Sequence, residues 1–253
     1  GVSVTPIRGL PLFAAGDDLA GALATAIVSN GLAPQDGDVV VVAQKVVSKV
    51  EGRTVGVADV AVSEAGRSLA VESGKPEALA ELIAGESAEI MRVRPGLVIA
   101  RHRLGHVAAN AGIDASNVRD STEGEAVLLW PEDPDASARA LRAALEARFG
   151  VRLAVIVNDS LGRAWRLGTT GTAIGVAGMK PLRDRRGEHD LFGRTLQTTL
   201  VGVADELSAA ASLVIGEAAE GVPAALIRGA IYDPAESGAA IGLVRPLEQD
   251  FFR

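Results

Sequence analysis

The sequence contains no cysteine, which excludes disulfides, thiolate nucleophiles and cysteine-ligated zinc or iron–sulfur centres. Aromatic residues are only 3% of a chain that is 48% hydrophobic, so the core must be built from Val, Leu, Ile and Ala. Apolar runs are short: Val39 to Ala43 falls far below the roughly 20 residues that span a bilayer. The opening GVSVTPIRGLPLF lacks a basic stretch followed by an apolar one, so no signal peptide is visible and a cytoplasmic protein is the expectation. A net charge of -7 argues against a chain that coats nucleic acid or an acidic membrane. There is no GxxxxGK[ST], and no GxGxxG follows a strand, so neither phosphate-binding loop is present.

Histidine is nearly absent too, with three copies. His102 and His106 in RHRLGH are spaced like a zinc pair, but Gly105 and the extended HVAANAG that follows argue against a helix there. No third soft ligand is nearby, and His189 by itself carries no signal.

The remaining pattern is that of an α+β protein, with helices and strands mixed without a strict βαβ rhythm. GDDLAGALATAIVSNG spaces Leu19, Leu23 and Ile27 for a short helix capped by Asp17 or Asp18 and stopped at Asn30-Gly31. Val39 to Val42 reads as a buried strand whose exit carries Lys45, Ser48 and Lys49. A helix is expected from Pro76 to about Met91, and a strand over Gly96 to Ala100. DPDASARALRAALEARFG is the clearest helix, with Leu141, Leu145 and Phe149 on one stripe and Gly150 as its stop. The strand Leu153 to Val157 follows. ADELSAAASLVIG is a helix closing at Gly216, and PAALIRG is a final strand.

Carboxylates at element ends are the first chemical signal. The apolar run before Asn158 stops on Asp159 and Ser160, Asp114 lies in the turn NAGIDASNV, and Glu217 follows a helix terminus. Taken singly, each fits a turn or cap residue. Together they are the hard oxygen ligands that Mg2+ prefers, one or two carboxylates completed by substrate phosphates. A second signal is cationic: Arg163, Arg166, Lys180, Arg183, Arg185, Arg186 and Arg194 crowd one segment of an acidic chain. Guanidinium forks match phosphates and carboxylates, although a solvated loop would look the same. The Gly- and Thr-rich GTTGTAIGVAG, Gly168 to Gly178, is either an anion-binding turn or a tightly packed strand.

Several longer segments occur in a characteristic order: GLPLF with GDDLA, DGDVVVVAQKVVSKVEGR, NAGIDASNV, LWPEDPDASARALR, VNDSLGRAWRLG, AIGVAGMKPLRDRRGEHDLFGR, VADELSAAASLVIGE and GVPAALIRG. In these the chain resembles the coenzyme F420-0:γ-glutamyl ligases, including the ligase half of a two-domain actinobacterial enzyme, over residues 2 to 230. The resemblance implies a CofE-like fold, an intertwined α+β homodimer with active sites between subunits. It implies a GTP-dependent ligase using Mg2+ or Mn2+ and helped by K+, which joins L-glutamate to F420-0 and extends the γ-linked tail.

By the same resemblance Asp114 and Asp159 would ligate one metal, with Ser160 and Glu217 on a second. Leu10, Pro11, Leu12, Phe13, Gln44, Lys45, Lys49 and Asn117 would line the GTP site. Ile215, Gly216, Glu217, Ala218, Ala219, Glu220, Gly221 and Val222 would form its loop. Lys45 and Lys49 would stabilise charge beside Asp159 at the catalytic centre; apart from the resemblance, their cationic character makes Arg163 and Arg166 candidates to meet the anionic acceptor. Asn158-Asp159-Ser160 stands where the family usually reads Thr/Ser-Asp-Thr, and Ser keeps the hydroxyl. Ala43-Gln44 replaces a more hydroxyl-rich pair, and Arg185 and Phe192 occupy positions where tyrosines are common. The chain reads as one ligase domain, 1–253, whose ending LVRPLEQDFFR resembles the junction to a nitroreductase half near 245–253. Two other functions fit the residues: a related metal-dependent ligase or phosphotransferase with a different acceptor, and a non-catalytic module that binds F420 or a nucleotide.

Overall fold

The computed structural model of the chain describes residues 1–115 and 125–250. Its helices are Leu19–Ser29 (α1), Gln44–Val50 (α2), Glu64–Ser73 (α3), Glu77–Glu86 (α4), Pro134–Phe149 (α5) and Val203–Ile215 (α6). The strands are Ser3–Ile7 (β1), Val39–Ala43 (β2), Thr54–Gly56 (β3), Ser87–Arg94 (β4), Leu97–His102 (β5), Val107–Ala109 (β6) and Ala126–Leu128 (β7). They continue with Ala154–Arg163 (β8), Arg166–Met179 (β9), Arg183–Asp184 (β10), Leu200–Val201 (β11), Ala224–Arg228 (β12) and Pro234–Ala235 (β13). The α+β class is as expected.

One six-stranded sheet, ordered β1-β12-β2-β8-β9-β13, organises the chain. Only β2 and β8 pair in parallel; the other neighbours are antiparallel. Both faces are covered, which is why its central strands are continuous apolar runs. Val40, Val42, Val155, Val157 and Leu226 pack under α1 and α5 with Leu23, Ile27, Leu141 and Leu145. Val39, Val41, Ile156 and Ile227 point the other way, onto Leu207, Ala211 and Ile215 of α6. Each such fully buried side chain contributes about 1.5–3 kcal/mol.

The caps follow the sequence reading. The Asp18 carboxylate accepts from Gly21 N at 2.9 Å, Asp133 accepts from Ala136 N at 2.8 Å, and Gly150 ends α5 at φ +70°. Between β2 and β8 the chain builds a second layer, in which α3 and α4 cover the sheet β4-β5-β6 through Leu69, Ala80, Ile83, Val98 and Ala100.

Two expectations are corrected. The helix expected from Pro76 to about Met91 ends at Glu86, and Ser87–Arg94 runs as a strand antiparallel to β5. Helix α4 buries only Ala80 and Ile83, so continuing it would have added little burial, whereas pairing with β5 satisfies the backbone. The strand expected to stop at Val157 continues to Arg163, paired residue by residue with β9. Asp159 and Ser160 therefore sit within a strand rather than at its end. The register shifts between Val157 and Asn158, where β9 carries one extra residue, Ile174, between their partners Gly175 and Ala173. Such a bulge re-aims the side chains that follow it.

The Gly- and Thr-rich stretch after Gly168 resolves as the strand β9. Its glycines serve close packing: a Cβ at Gly171 would lie 2.4 Å from Ser208 O of α6, and one at Gly175 would lie 2.3 Å from Pro134 O of α5. Gly175→Ala forces a methyl against backbone, so it should destabilise the fold by roughly 1–3 kcal/mol through overpacking. The urea midpoint measures this, and an unchanged midpoint would contradict the packing described.

Candidate functional site

Four segments meet at one end of β2 and β8. The loop after β1 contributes Leu10, Pro11, Leu12 and Phe13; α2 contributes Gln44, Lys45 and Lys49; β8 contributes Asn158, Asp159 and Ser160; and the connection from α6 to β12 contributes Ile215 to Val222. With Asp114 they line a single cavity of about 930 Å3. Every residue expected to bind metal or nucleotide is on that wall except Asn117, which lies outside the described residues. Thr54 and Thr169 also line the cavity; nothing in their sequence context set them apart from other threonines.

Local chemistry explains how each group arrives. Helix α2 starts directly where β2 ends, so Lys45 and Lys49, one turn apart, share a face. Asp114 follows a tight turn in which Asn110, Ala111 and Gly112 are all left-handed, at φ +51°, +52° and +71°. Gly216 ends α6 at φ +80° and ψ 176°, a conformation open essentially to glycine alone. That turn delivers Glu217 to Ser160, whose hydroxyl donates to Glu217 Oε1 at 2.7 Å. Ala43 N donates to Pro223 O at 2.8 Å and closes the loop against β2.

The electrostatics are balanced pairwise. Lys45 Nζ lies 2.8 Å from Asp114 Oδ2. Asp159 is half-buried; its Oδ2 accepts from Trp130 Nε1 and its Oδ1 from Ser160 N, both at 2.8 Å. Burial pushes the Asp159 carboxyl up to about 6, against the pull of those two donors, while Asp114 adds to the rise and Lys45 opposes it. Burial also lowers the Lys49 ammonium, and Lys45 reinforces the shift. Gln44 Oε1 and Asn158 Oδ1 are buried and accept from nothing among the described residues.

Among the described residues no group of three or more His, Asp or Glu stands ready as a metal cage. The donor set nonetheless fits a hard divalent ion: two mutually sensing carboxylates, a hydroxyl and a third carboxylate, in a cavity with room for phosphates. The histidine pair takes no part. His102 and His106 pack their rings on Trp130 at 4.7 and 5.9 Å, outside the cavity wall. Burial pushes His106 down to about 4, and His102 adds to this. Glu86 accepts from His102 at 3.1 Å. Burial alone would raise its carboxyl, but His102, Arg103 and Arg53 together hold it at about 2.

The arginine segment lies away from this cavity. None of Arg163, Arg166, Lys180, Arg183, Arg185, Arg186 and Arg194 lines the cavity. Arg185 pairs with Glu188 and Arg186 with Asp184, both at 2.6 Å on exposed surface. Short-range acids in the same loop neutralise them, so part of the segment is a solvated face.

The raised Asp159 value predicts a pH dependence. A carboxyl whose folded value (about 6) exceeds its unfolded value contributes stability below the unfolded value and loses it as pH rises through 6. Thermal midpoints of metal-free wild type and Asp159→Asn should therefore diverge with pH, wild type losing ground between pH 4 and pH 7. A constant difference would show that the site does not penalise the charge.

A family model described as F420-0:Gamma-glutamyl ligase matches residues 8–229. The coenzyme F420:L-glutamate ligase of Methanothermobacter thermautotrophicus is 46% identical, covering 100% of this chain and 99% of that protein. The protein of the same name from Archaeoglobus fulgidus is 40% identical, over 100% and 96%, and that from Methanocaldococcus jannaschii 41%, over 87% and 86%. The chain is an enzyme of the F420-0:γ-glutamyl ligase family.

Proposed function

We propose that this enzyme is a GTP-dependent ligase that joins the amine of L-glutamate to a carboxylate of coenzyme F420-0 and then extends the γ-linked tail. The observation that carries the reading is the convergence of Asp114, Asp159, Ser160 and Glu217 with Lys45 and Lys49 on one cavity, in a chain of this family.

A carboxylate does not condense with an amine in water because its oxygen is a poor leaving group. In the proposed course the acceptor carboxylate takes the γ-phosphoryl group: its oxygen bonds to phosphorus, the bond to the β-phosphate oxygen breaks, and GDP leaves. The glutamate nitrogen then attacks the acyl carbon, the carbon–oxygen bond breaks, phosphate departs, and the amine gives up a proton. Mg2+ or Mn2+, when bound, would neutralise triphosphate charge as a Lewis acid. Asp114 and Asp159 would hold one ion, and Ser160 with Glu217 the other; K+ is proposed as a further activator.

Lys45 and Lys49 place positive charge where oxyanions develop, without covalent chemistry. Leu10 to Phe13 and Ile215 to Val222 enclose the nucleotide and exclude water. A homodimer is part of the proposal, supported by a group of exposed apolar side chains: Trp165, Leu167, Leu191 and Phe192 are each at least 86% exposed. Arg163 and Arg166, beside Trp165 on the β8–β9 hairpin, would there meet the acceptor's anionic groups. No helix among the described residues is long and apolar enough to cross a membrane, and a cytoplasmic setting is proposed with that.

The test is direct. Protein, F420-0, L-glutamate, GTP and Mn2+ are incubated, and mass spectrometry follows the deazaflavin. The expected result is F420-0 carrying one or more added glutamyl residues, absent without GTP or metal. Asp114→Asn and Asp159→Asn should each slow addition at least about a hundredfold, the equivalent of roughly 3 kcal/mol of charge stabilisation. Folded protein that binds GTP yet adds no glutamate would refute the ligase reading.

A further inference from the structure

We propose that Trp130 is the positioning residue of this site, holding the carboxylate of Asp159, and the turn that carries Asp114, in the arrangement that receives a divalent ion. The inference rests on the reading above, in which those two aspartates ligate metal.

Trp130 is wholly buried and does not line the cavity, yet its one polar atom points at it. Its Nε1–H donates to Asp159 Oδ2, while Ser160 N donates to Oδ1. Each carboxylate oxygen thus spends one acceptor direction on a fixed N–H and keeps another for a cation. Two such donors on opposite oxygens fix the rotation of the carboxylate plane.

The same indole shapes the path to Asp114. A Cβ at Gly112 would sit 2.2 Å from Trp130 Cε2 and 2.5 Å from Nε1, so the turn lies directly on the ring and tolerates no side chain. Asn110 and Ala111 adopt left-handed backbone beside it, an unfavourable state that persists only where surroundings enforce it. Asp114 then exchanges both backbone hydrogen bonds with Leu128, two residues before Trp130, at 3.0 and 2.7 Å. Both aspartates are therefore tied to one short segment, one through the indole N–H and one through backbone and ring contact.

The indole itself is immobilised from behind. His102 and His106 pack on it, and Arg53 Nε donates to Trp130 O at 2.8 Å. Arg53 and His102 both converge on Glu86. A Phe or Leu would fill a core position equally well; an indole N–H aimed at a half-buried carboxylate serves orientation. Groups that hydrogen-bond to a metal's ligands in this way are worth about 10–100-fold in metal affinity.

The test uses the full chain and GDP with Mn2+ as probes. GDP binding is measured calorimetrically over a range of Mn2+ concentrations for wild type and Trp130→Phe, with thermal midpoints for both. The expected result is a half-maximal Mn2+ concentration raised about 10–100-fold in the variant, with GDP affinity in the absence of metal unchanged. A variant with wild-type Mn2+ dependence would overturn the inference while leaving the metal reading intact. A variant that weakens metal-free and metal-dependent GDP binding alike would overturn it too, because that is what loosened packing does. Wild type whose GDP affinity ignores Mn2+ would refute the metal reading, and this inference with it.

A second measurement does not depend on the variant folding. Trp165→Phe leaves Trp130 as the sole indole, and its 15N–1H signal should shift when Mg2+ and GDP are added together but not with GDP alone. A signal indifferent to Mg2+ would overturn the proposal.

Discussion

The site depends on one register. Strands β2 and β8 pair in parallel with Ala43 opposite Asn158, and everything chemical begins at the next residue of each. On one strand that is Gln44, which opens the helix carrying both lysines; on the other it is Asp159. A slip of one residue would turn Val40, Val42, Val155 and Val157 out of their shared cluster and reverse the direction of every polar group beyond it. The burial that fixes the sheet therefore also fixes the separation of cations and carboxylates. Stability and function are set by the same four valines.

Beyond that register, each carboxylate named on the cavity wall has a partner of its own. Asp114 has Lys45, Glu217 has the Ser160 hydroxyl, and Asp159 has two N–H donors. Asp159 is nonetheless held near 6 because burial outweighs those donors. A carboxylate kept in such tension gains from a cation more than a solvated one does, since the ion replaces lost hydration. Lys49, with its ammonium lowered by burial and by Lys45, is in the mirror-image condition and gains from an anion. The cavity wall thus favours a ligand that brings both signs, as a metal-bound polyphosphate does.

Much of this was legible in the sequence. Caps at Asp18 and Asp133, the glycine stop at Gly150 and the β-branched strands are local signals, and they placed most elements. The wall residues came from motif order, and all but Asn117 lie together among the described residues. What was not legible depended on long-range pairing. Nothing near Asn158 shows that β9 will extend the strand to Arg163, because the partner's extra residue, Ile174, lies elsewhere in the chain. Ser87 to Met91 reads as helix until β5 is available to pair with it. Trp130 was passed over because a lone tryptophan in a proline-flanked stretch looks like ordinary core, and its importance lies in one atom. The arginine segment reads equally as an anion site or a solvated face, because only the folded loop shows acids two and three residues away pairing with Arg186 and Arg185.

The glycines of β9 divide the molecule into parts that can and cannot be varied. At Gly171 and Gly175 the backbones of α6 and α5 approach the strand within van der Waals reach of its Cα positions, so the β8–β9 hairpin has little room through which to adjust. Attempts to redirect this scaffold to another ligand will find their freedom in Pro11, Leu12, Ala14 and Ala15 and in Ala218 to Gly221, where chain meets solvent. Diversity libraries that leave β8 and β9 untouched should retain far more folded members than libraries spread evenly along the sequence.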